Sequence, residues 1–132
     1  MSHLTKIEVK VDSMAAIEAA LKEMGFGINK NADGTKHRLK AYAWTMDCDI
    51  SATKNNKQLY IGFAQDGDQV KAQYDLYGSG VNASDFNQKL QQLHSKHKTI
   101  DIVKKNKWKV DEDNIETDEN GNIIMYASRW TA

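Results

Sequence analysis

The sequence predicts an α+β fold, a two-layer sandwich in which two helices cover one face of a mainly antiparallel sheet. Three observations carry this prediction: segments with alternating apolar and polar residues, tight-turn signals between them, and two stretches with helical periodicity. Strands joined by tight turns pair antiparallel, and their sheet is the only predicted surface large enough to bury both helices. We predict one domain over residues 1–132, because this length is ordinary for a single domain and no Gly/Ser or Pro linker interrupts it.

The chain is predicted to begin with a strand and a helix. Apolar and charged residues alternate over 6–11, which is typical of a half-buried strand with three inward residues: Ile7, Val9 and Val11. A helix is predicted over about 13–24, where apolar residues recur every three or four positions. Asp12 or Ser13 is its N-cap, and Gly25 ends it because glycine adopts the left-handed C-cap conformation.

Turn signals divide the central segment into strands. Turns are predicted at 32–35 and 54–57, and Asp66-Gly67 closes a hairpin because Asp-Gly tolerates positive φ. Alternation turns one set of residues toward the helices: Leu59, Ile61, Phe63, Val70, Ala72, Tyr74 and Leu76. The opposite set faces away from them: Tyr60, Gly62, Ala64, Lys71, Gln73, Asp75 and Tyr77.

The second helix is predicted over 84–105, with Asn82 or Ser84 as its cap. Its buried stripe recurs at spacings of three and four: Phe86, Leu90, Leu93, His97, Ile100 and Val103. A strand begins at Trp108, and Asn120-Gly121 closes a final hairpin onto Ile123 through Trp130.

Charge and composition argue against several function classes. The 18 Lys and Arg residues balance 18 Asp and Glu residues, and a zero net charge disfavours a dedicated nucleic-acid binder. No apolar run approaches the roughly 18 residues of a membrane span, so we expect no membrane partner. One cysteine cannot form an internal disulfide. No apolar signal segment follows the N-terminus, so we expect a cytoplasmic protein.

The chemistry-bearing clusters match no catalytic or metal motif. His94 and His97 lie three apart on a helix, but neither an H-E-x-x-H nor a paired C-x-x-C pattern accompanies them. Cys48 sits between two acids, which disfavours a thiolate, and we interpret it as a small core residue. Glu116 opens a stretch that mimics a calcium loop, but Ala127 stands where the bidentate acid belongs. We therefore predict no metal, no cofactor and no enzymatic activity.

An ordered set of short motifs spans the chain: Met1-Ser2-His3, Ile61-Gly62-Phe63, Asp66-Gly67, Tyr74-Asp75-Leu76-Tyr77-Gly78, and the run from Tyr126 to Trp130. The set resembles domain-of-unknown-function family 1257, the conserved hypothetical open-reading-frame 35 family of plastids and cyanobacteria. Leu76 and Tyr77 stand where that family has tryptophans. The resemblance implies a small protein of the cyanobacterial cytosol or the plastid stroma, or of the host cytoplasm if a phage encodes it. It implies no activity.

The sheet face turned away from the helices is the strongest functional signal in the sequence. It combines aromatic and charged residues, the types that anchor protein interfaces: Tyr60, Asp75, Tyr77, Tyr126 and Trp130. We expect a non-enzymatic binding or regulatory protein that docks a protein partner, for example a phage factor acting on a cyanobacterial host protein. The plainer interpretation is that these aromatics lie singly on an ordinary solvated surface.

Two other functions stay open. Gly78, Ser79 and Gly80 precede the second helix, and a helix N-terminus attracts anions, so this turn is the candidate site of a small-anion or nucleotide sensor. Alternatively, the chain is a subunit of a homo-oligomer or of a larger assembly joined through the sheet.

Overall fold

A computed structural model describes residues 5–6, 12–105, 108–110, 116–117, 123–124 and 127–129. It confirms the α+β fold, with two helices, α1 (Met14–Glu23) and α2 (Ala83–Lys105). The strands are β1 (Thr5–Lys6), β2 (Gly27–Asn29), β3 (His37–Lys40), β4 (Thr45–Cys48), β5 (Ile50–Lys54), β6 (Lys57–Asp66), β7 (Gln69–Asp75), β8 (Trp108–Val110), β9 (Glu116–Thr117), β10 (Ile123–Ile124) and β11 (Ala127–Arg129). Every strand pair among the described residues is antiparallel.

Five strands form a central sheet in the order β1-β7-β6-β5-β2. The remaining described strands form three two-stranded sheets, β3 with β4, β8 with β11, and β9 with β10. The described strands from Trp108 onward pair antiparallel with one another, β8 with β11 and β9 with β10, and add no described strand to the central sheet. Of the predicted first strand over 6–11, Ile7, Val9 and Val11 lie outside the described residues.

Local sequence explains where the helices begin. The Ser13 hydroxyl accepts a hydrogen bond from the Ala16 N–H at 3.2 Å and caps α1. The Asn82 side chain accepts one from the Asp85 N–H at 3.0 Å and caps α2. After α1 the chain passes through Gly25 at φ +92°, a conformation that glycine adopts without steric cost.

The turn predicted at 54–57 is confirmed, and its backbone φ angles explain why asparagine occupies it. Asn55 and Asn56 both adopt positive φ, at 53° and 63°, which suits the tight turn between β5 and β6. Gly67 also adopts a positive φ, 63°, in the turn between β6 and β7. These two turns set the pairing of the three central strands.

Both helices pack on the same face of the central sheet and share one core. Its buried members come from α1, α2 and the sheet: Ile17, Ala20, Leu21, Ile50, Ala52, Ile61, Phe63, Val70, Ala72, Tyr74, Leu76, Phe86, Leu90 and Leu93. Tyr74 sits at the centre, with ring centroids 5.8 Å from Phe63 and 5.0 Å from Phe86 in edge-to-face geometry. Each such pair contributes about 0.5–1.5 kcal/mol beyond its buried area.

Polar contacts join α1 to α2. His94 is 3% exposed, and its Nε2 accepts a hydrogen bond from the backbone N–H of Ser13 at 3.2 Å. Lys98 Nζ lies 2.6 Å from the Asp12 carboxylate. The sequence pattern placed His97 on the buried stripe, but His94 is the more buried histidine, because its ring reaches the first residues of α1.

The His94 contact predicts acid sensitivity. Burial is the largest effect on this imidazole and lowers its pKa below the ordinary 6.5, because desolvation disfavours the charged ring. The nearby Asp12 carboxylate opposes this shift, and the Lys98 ammonium adds to it. The unfolded chain then binds the proton more tightly than the folded chain. The stabilisation is complete above pH 6.5 and decreases as the pH falls below that value.

We therefore expect urea denaturation of the wild type to shift to lower urea concentration between about pH 7 and pH 5. A His94→Gln variant, which keeps an acceptor in the side chain but does not titrate, should lose less stability over this interval. Equal acid sensitivity of the two proteins would contradict the assignment.

Candidate interaction surface

We call the side of the central sheet opposite the helices the reverse face. Strand register places on it residues that alternate with the core residues, among them Ser51 on β5, Tyr60, Gly62 and Ala64 on β6, and Lys71, Gln73 and Asp75 on β7. This is the face on which the sequence predicts a partner. Its two ends differ in structure.

The β3–β4 hairpin covers one end of the reverse face. It forms a second, smaller apolar cluster whose buried members are Leu39, Met46, Cys48 and Ala64. A Cβ built on Gly62 would lie 3.0 Å from Leu39 Cδ2 and 3.0 Å from Met46 Sδ. The hairpin approaches this closely because Gly62 has no side chain. The expectation that the whole reverse face is open is thus corrected at Gly62 and Ala64.

A polar cluster lies under the hairpin. His37 Nε2 is 2.8 Å from Ser51 Oγ and 3.3 Å from Cys48 Sγ. The Gln58 amide lies beside Ser51 and donates to the Leu59 carbonyl at 2.7 Å. Both Cys48 and Ser51 are fully buried, and the contacts of His37 Nε2 tie β3 to β5. The buried His37 Nδ1 has no hydrogen-bond partner.

This cluster does not provide an activated nucleophile. Burial, together with the carboxylates of Asp49 and Asp47, raises the pKa of the Cys48 thiol to about 11. The thiol is therefore neutral at physiological pH, despite the neighbouring imidazole of His37. Cys48 is the small core residue that its position in the sequence indicates.

The other end of the reverse face carries the tyrosines. Tyr60 is 36% exposed and lies opposite Asp75 in the β6–β7 register. Tyr77 follows β7 and is 58% exposed. Asp75 lies on the same face but is only 3% exposed. The structure thus brings Tyr60, Asp75 and Tyr77 to one end of the sheet, while Tyr126 and Trp130 lie outside the described residues.

The glycine turn before α2 uses its polar groups internally. The Ser79 hydroxyl donates to the Leu76 carbonyl at 2.6 Å and accepts from the Val81 N–H at 3.1 Å. Gly78 and Gly80 adopt positive φ, at 73° and 77°. Asp85 adds a negative charge to the first turn of α2. This geometry adds no support to an anion site, because the hydroxyl is engaged and the nearby acid repels anions.

The structure also shows an aromatic residue that sequence reasoning missed. Tyr42, in the turn between β3 and β4, is 87% exposed. The alternation from Tyr42 to Ile50 places it with Met46 and Cys48, which are buried. The chain bends between Ala41 and Trp44, so the alternation does not extend to the turn.

The described residues contain no cluster of three or more metal-ligating side chains. The described helices include none with the length and apolarity needed to cross a bilayer. No protein-family model, no curated protein and no solved structure matches this chain. The resemblance to domain-of-unknown-function family 1257 stays a prediction.

The close approach at Gly62 predicts the effect of a larger side chain. Gly62→Val should displace the β3–β4 hairpin and lower the free energy of unfolding by about 1–3 kcal/mol. Urea denaturation measures this change. Ala43→Val, at an exposed position in the hairpin turn, is the control and should change it by less than about 0.5 kcal/mol. Similar effects of the two substitutions would contradict hairpin packing on Gly62.

The raised pKa of Cys48 predicts slow alkylation. At pH 8, iodoacetamide should modify the native thiol about a hundredfold more slowly than the urea-unfolded chain, because the thiolate is the reactive form. Mass spectrometry at timed intervals gives both rates. Gly62→Val should accelerate the native reaction by loosening the hairpin. Native labelling at the unfolded rate would show that the thiol is not enclosed.

Proposed function

We propose that this chain is a non-enzymatic protein-binding module whose partner docks on the tyrosine-bearing end of the reverse face. The observation that carries the proposal is the position of Tyr60 and Tyr77 on a sheet whose other face is covered by helices. Exposed tyrosines are strong interface anchors, since they bury a large ring area at low conformational-entropy cost.

The neighbouring structure supports a rigid docking surface. Tyr60 lies within β6 and pairs with Asp75 on β7, so the sheet holds its backbone on that side. The β3–β4 hairpin covers the adjacent Gly62 and leaves Tyr60 36% exposed. A preorganised surface loses little entropy when a partner binds.

Cys48, the candidate nucleophile of the polar cluster under the hairpin, is poorly suited to catalysis. His37, Cys48 and Ser51 form the one described cluster that resembles nucleophilic machinery. Its thiol has a raised pKa, and both Cys48 and Ser51 are fully buried. This part of the chain is better suited to holding the hairpin than to reacting with a substrate.

Affinity capture tests the proposal. The resemblance to a cyanobacterial family selects the lysate, which we would pass over immobilised wild type, Tyr60→Ala and Tyr77→Ala proteins. A partner retained by the wild type should bind each variant at least about fivefold more weakly, as expected for an interface aromatic. Titration of the captured protein gives the affinities.

The matched control is Gln91→Ala, an exposed position on α2 in the opposite layer, which should bind as the wild type does. Equal capture by all four proteins would remove the tyrosines from the binding surface. Light scattering of the same proteins tests self-association. A dimer that both tyrosine substitutions dissociate would assign the surface to a second copy of this chain.

A further inference from the structure

One buried imidazole ties the start of α1 to α2. His94, on α2, is 3% exposed, and its Nε2 accepts a hydrogen bond from the backbone N–H of Ser13 at 3.2 Å. A backbone N–H can only donate, so this nitrogen carries a free lone pair and the neutral ring holds its proton on Nδ1. The contact between the two helices therefore requires a neutral imidazole.

A carboxylate lies beside the same nitrogen. Asp12 Oδ1 is 3.8 Å from His94 Nε2, too far for a hydrogen bond but close enough to form one after a small movement. Both oxygens of Asp12 also lie 2.6 Å from Lys98 Nζ, one turn along α2. Among the described residues, the charged groups that face the ring are thus Asp12, before α1, and Lys98, on α2. His94 Nε2 has one neighbour that donates a proton and another that accepts one.

We propose that protonation exchanges the partners of His94, so that the ring releases the Ser13 N–H, donates from Nε2 to the Asp12 carboxylate and loosens the start of α1 from α2. A protonated imidazole donates from both nitrogens and accepts at neither, so the bond to Ser13 cannot persist. The new bond joins a cation to an anion, which makes it stronger than a neutral one. This exchange takes place within the folded protein and is independent of the surface on which a partner docks.

Ser13 relates the exchange to the helix itself. Its hydroxyl caps α1 by accepting from the Ala16 N–H at 3.2 Å, while its own N–H donates to His94. The opposite end of α1 responds differently, because Glu23 Oε1 lies 3.3 Å from His97 Nε2, and a proton on that ring strengthens the contact as an ion pair. Acid therefore loosens the start of α1 and leaves its end in place.

NMR titration of the folded protein tests the exchange. Long-range ¹H–¹⁵N spectra report which imidazole nitrogen carries a proton, and backbone spectra report the amides. At about pH 7.5 we expect an unprotonated Nε2 on His94. As the pH falls, this nitrogen should become protonated with a midpoint below 6.5, and the Ser13 and Ala16 amides should shift with the same midpoint. Core amides such as that of Phe63 should stay in place.

Variants assign the contacts. Asp12→Asn removes a charge that favours the protonated ring and should move the midpoint to lower pH, whereas Lys98→Gln removes a charge that opposes it and should move the midpoint to higher pH. His94→Gln should abolish the titration of the Ser13 amide. His97→Gln removes another histidine of the same helix, is the matched control, and should leave the midpoint unchanged.

Every result bears on the proposal. A proton on His94 Nε2 at neutral pH would overturn it, as would protonation of the ring without a shift at Ser13. If all amides change together as acid unfolds the chain, the acid response is global and the local exchange is overturned. A Ser13 shift that follows the His94 ring in the wild type and disappears in His94→Gln supports the exchange, even if Asp12→Asn or Lys98→Gln does not fold.

Discussion

The antiparallel pairing of β6 with β7 is the constraint on which the rest of the structure depends. Its register runs from Tyr60 opposite Asp75 to Asp66 opposite Gln69 without interruption. Because side chains alternate along a strand, this register determines on which face of the sheet each paired residue lies. A shift of β7 by one residue would turn Tyr74 out of the core and bring Lys71 and Asp75 into it.

The reverse face illustrates how a missing side chain determines tertiary structure. Gly62 leaves room for Leu39 and Met46, and Ala64 extends the same low surface. The hairpin that settles there carries His37 to Ser51, although these residues come from different sheets. The hairpin packs on Gly62 and does not cover the neighbouring Tyr60 and Tyr77. Gly62 therefore influences both the buried and the exposed parts of the reverse face.

The charged and titratable side chains fall into an exposed set and a buried set. Pairs such as Arg38–Asp47 and Lys71–Asp66 are well exposed, and ion pairs of this kind contribute little to stability. His94 and Asp75 are buried, and their polar atoms must be satisfied more carefully. The His94 ring accepts a hydrogen bond from the Ser13 N–H at the start of α1. Asp75 Oδ1 accepts a hydrogen bond from the Tyr77 N–H at 3.3 Å.

The sequence by itself determined the elements whose causes are local. Ser13 and Asn82 cap helices by bonds to residues three positions away, and Asn55-Asn56 and Gly67 form turns through their own backbone preferences. Alternation then identified the core of β6 and β7. Only the tertiary structure decided that the β3–β4 hairpin folds over Gly62, that His94 is more buried than His97, and that Asp75 is buried. These outcomes depend on contacts between residues distant in the chain, and no local spacing encodes them.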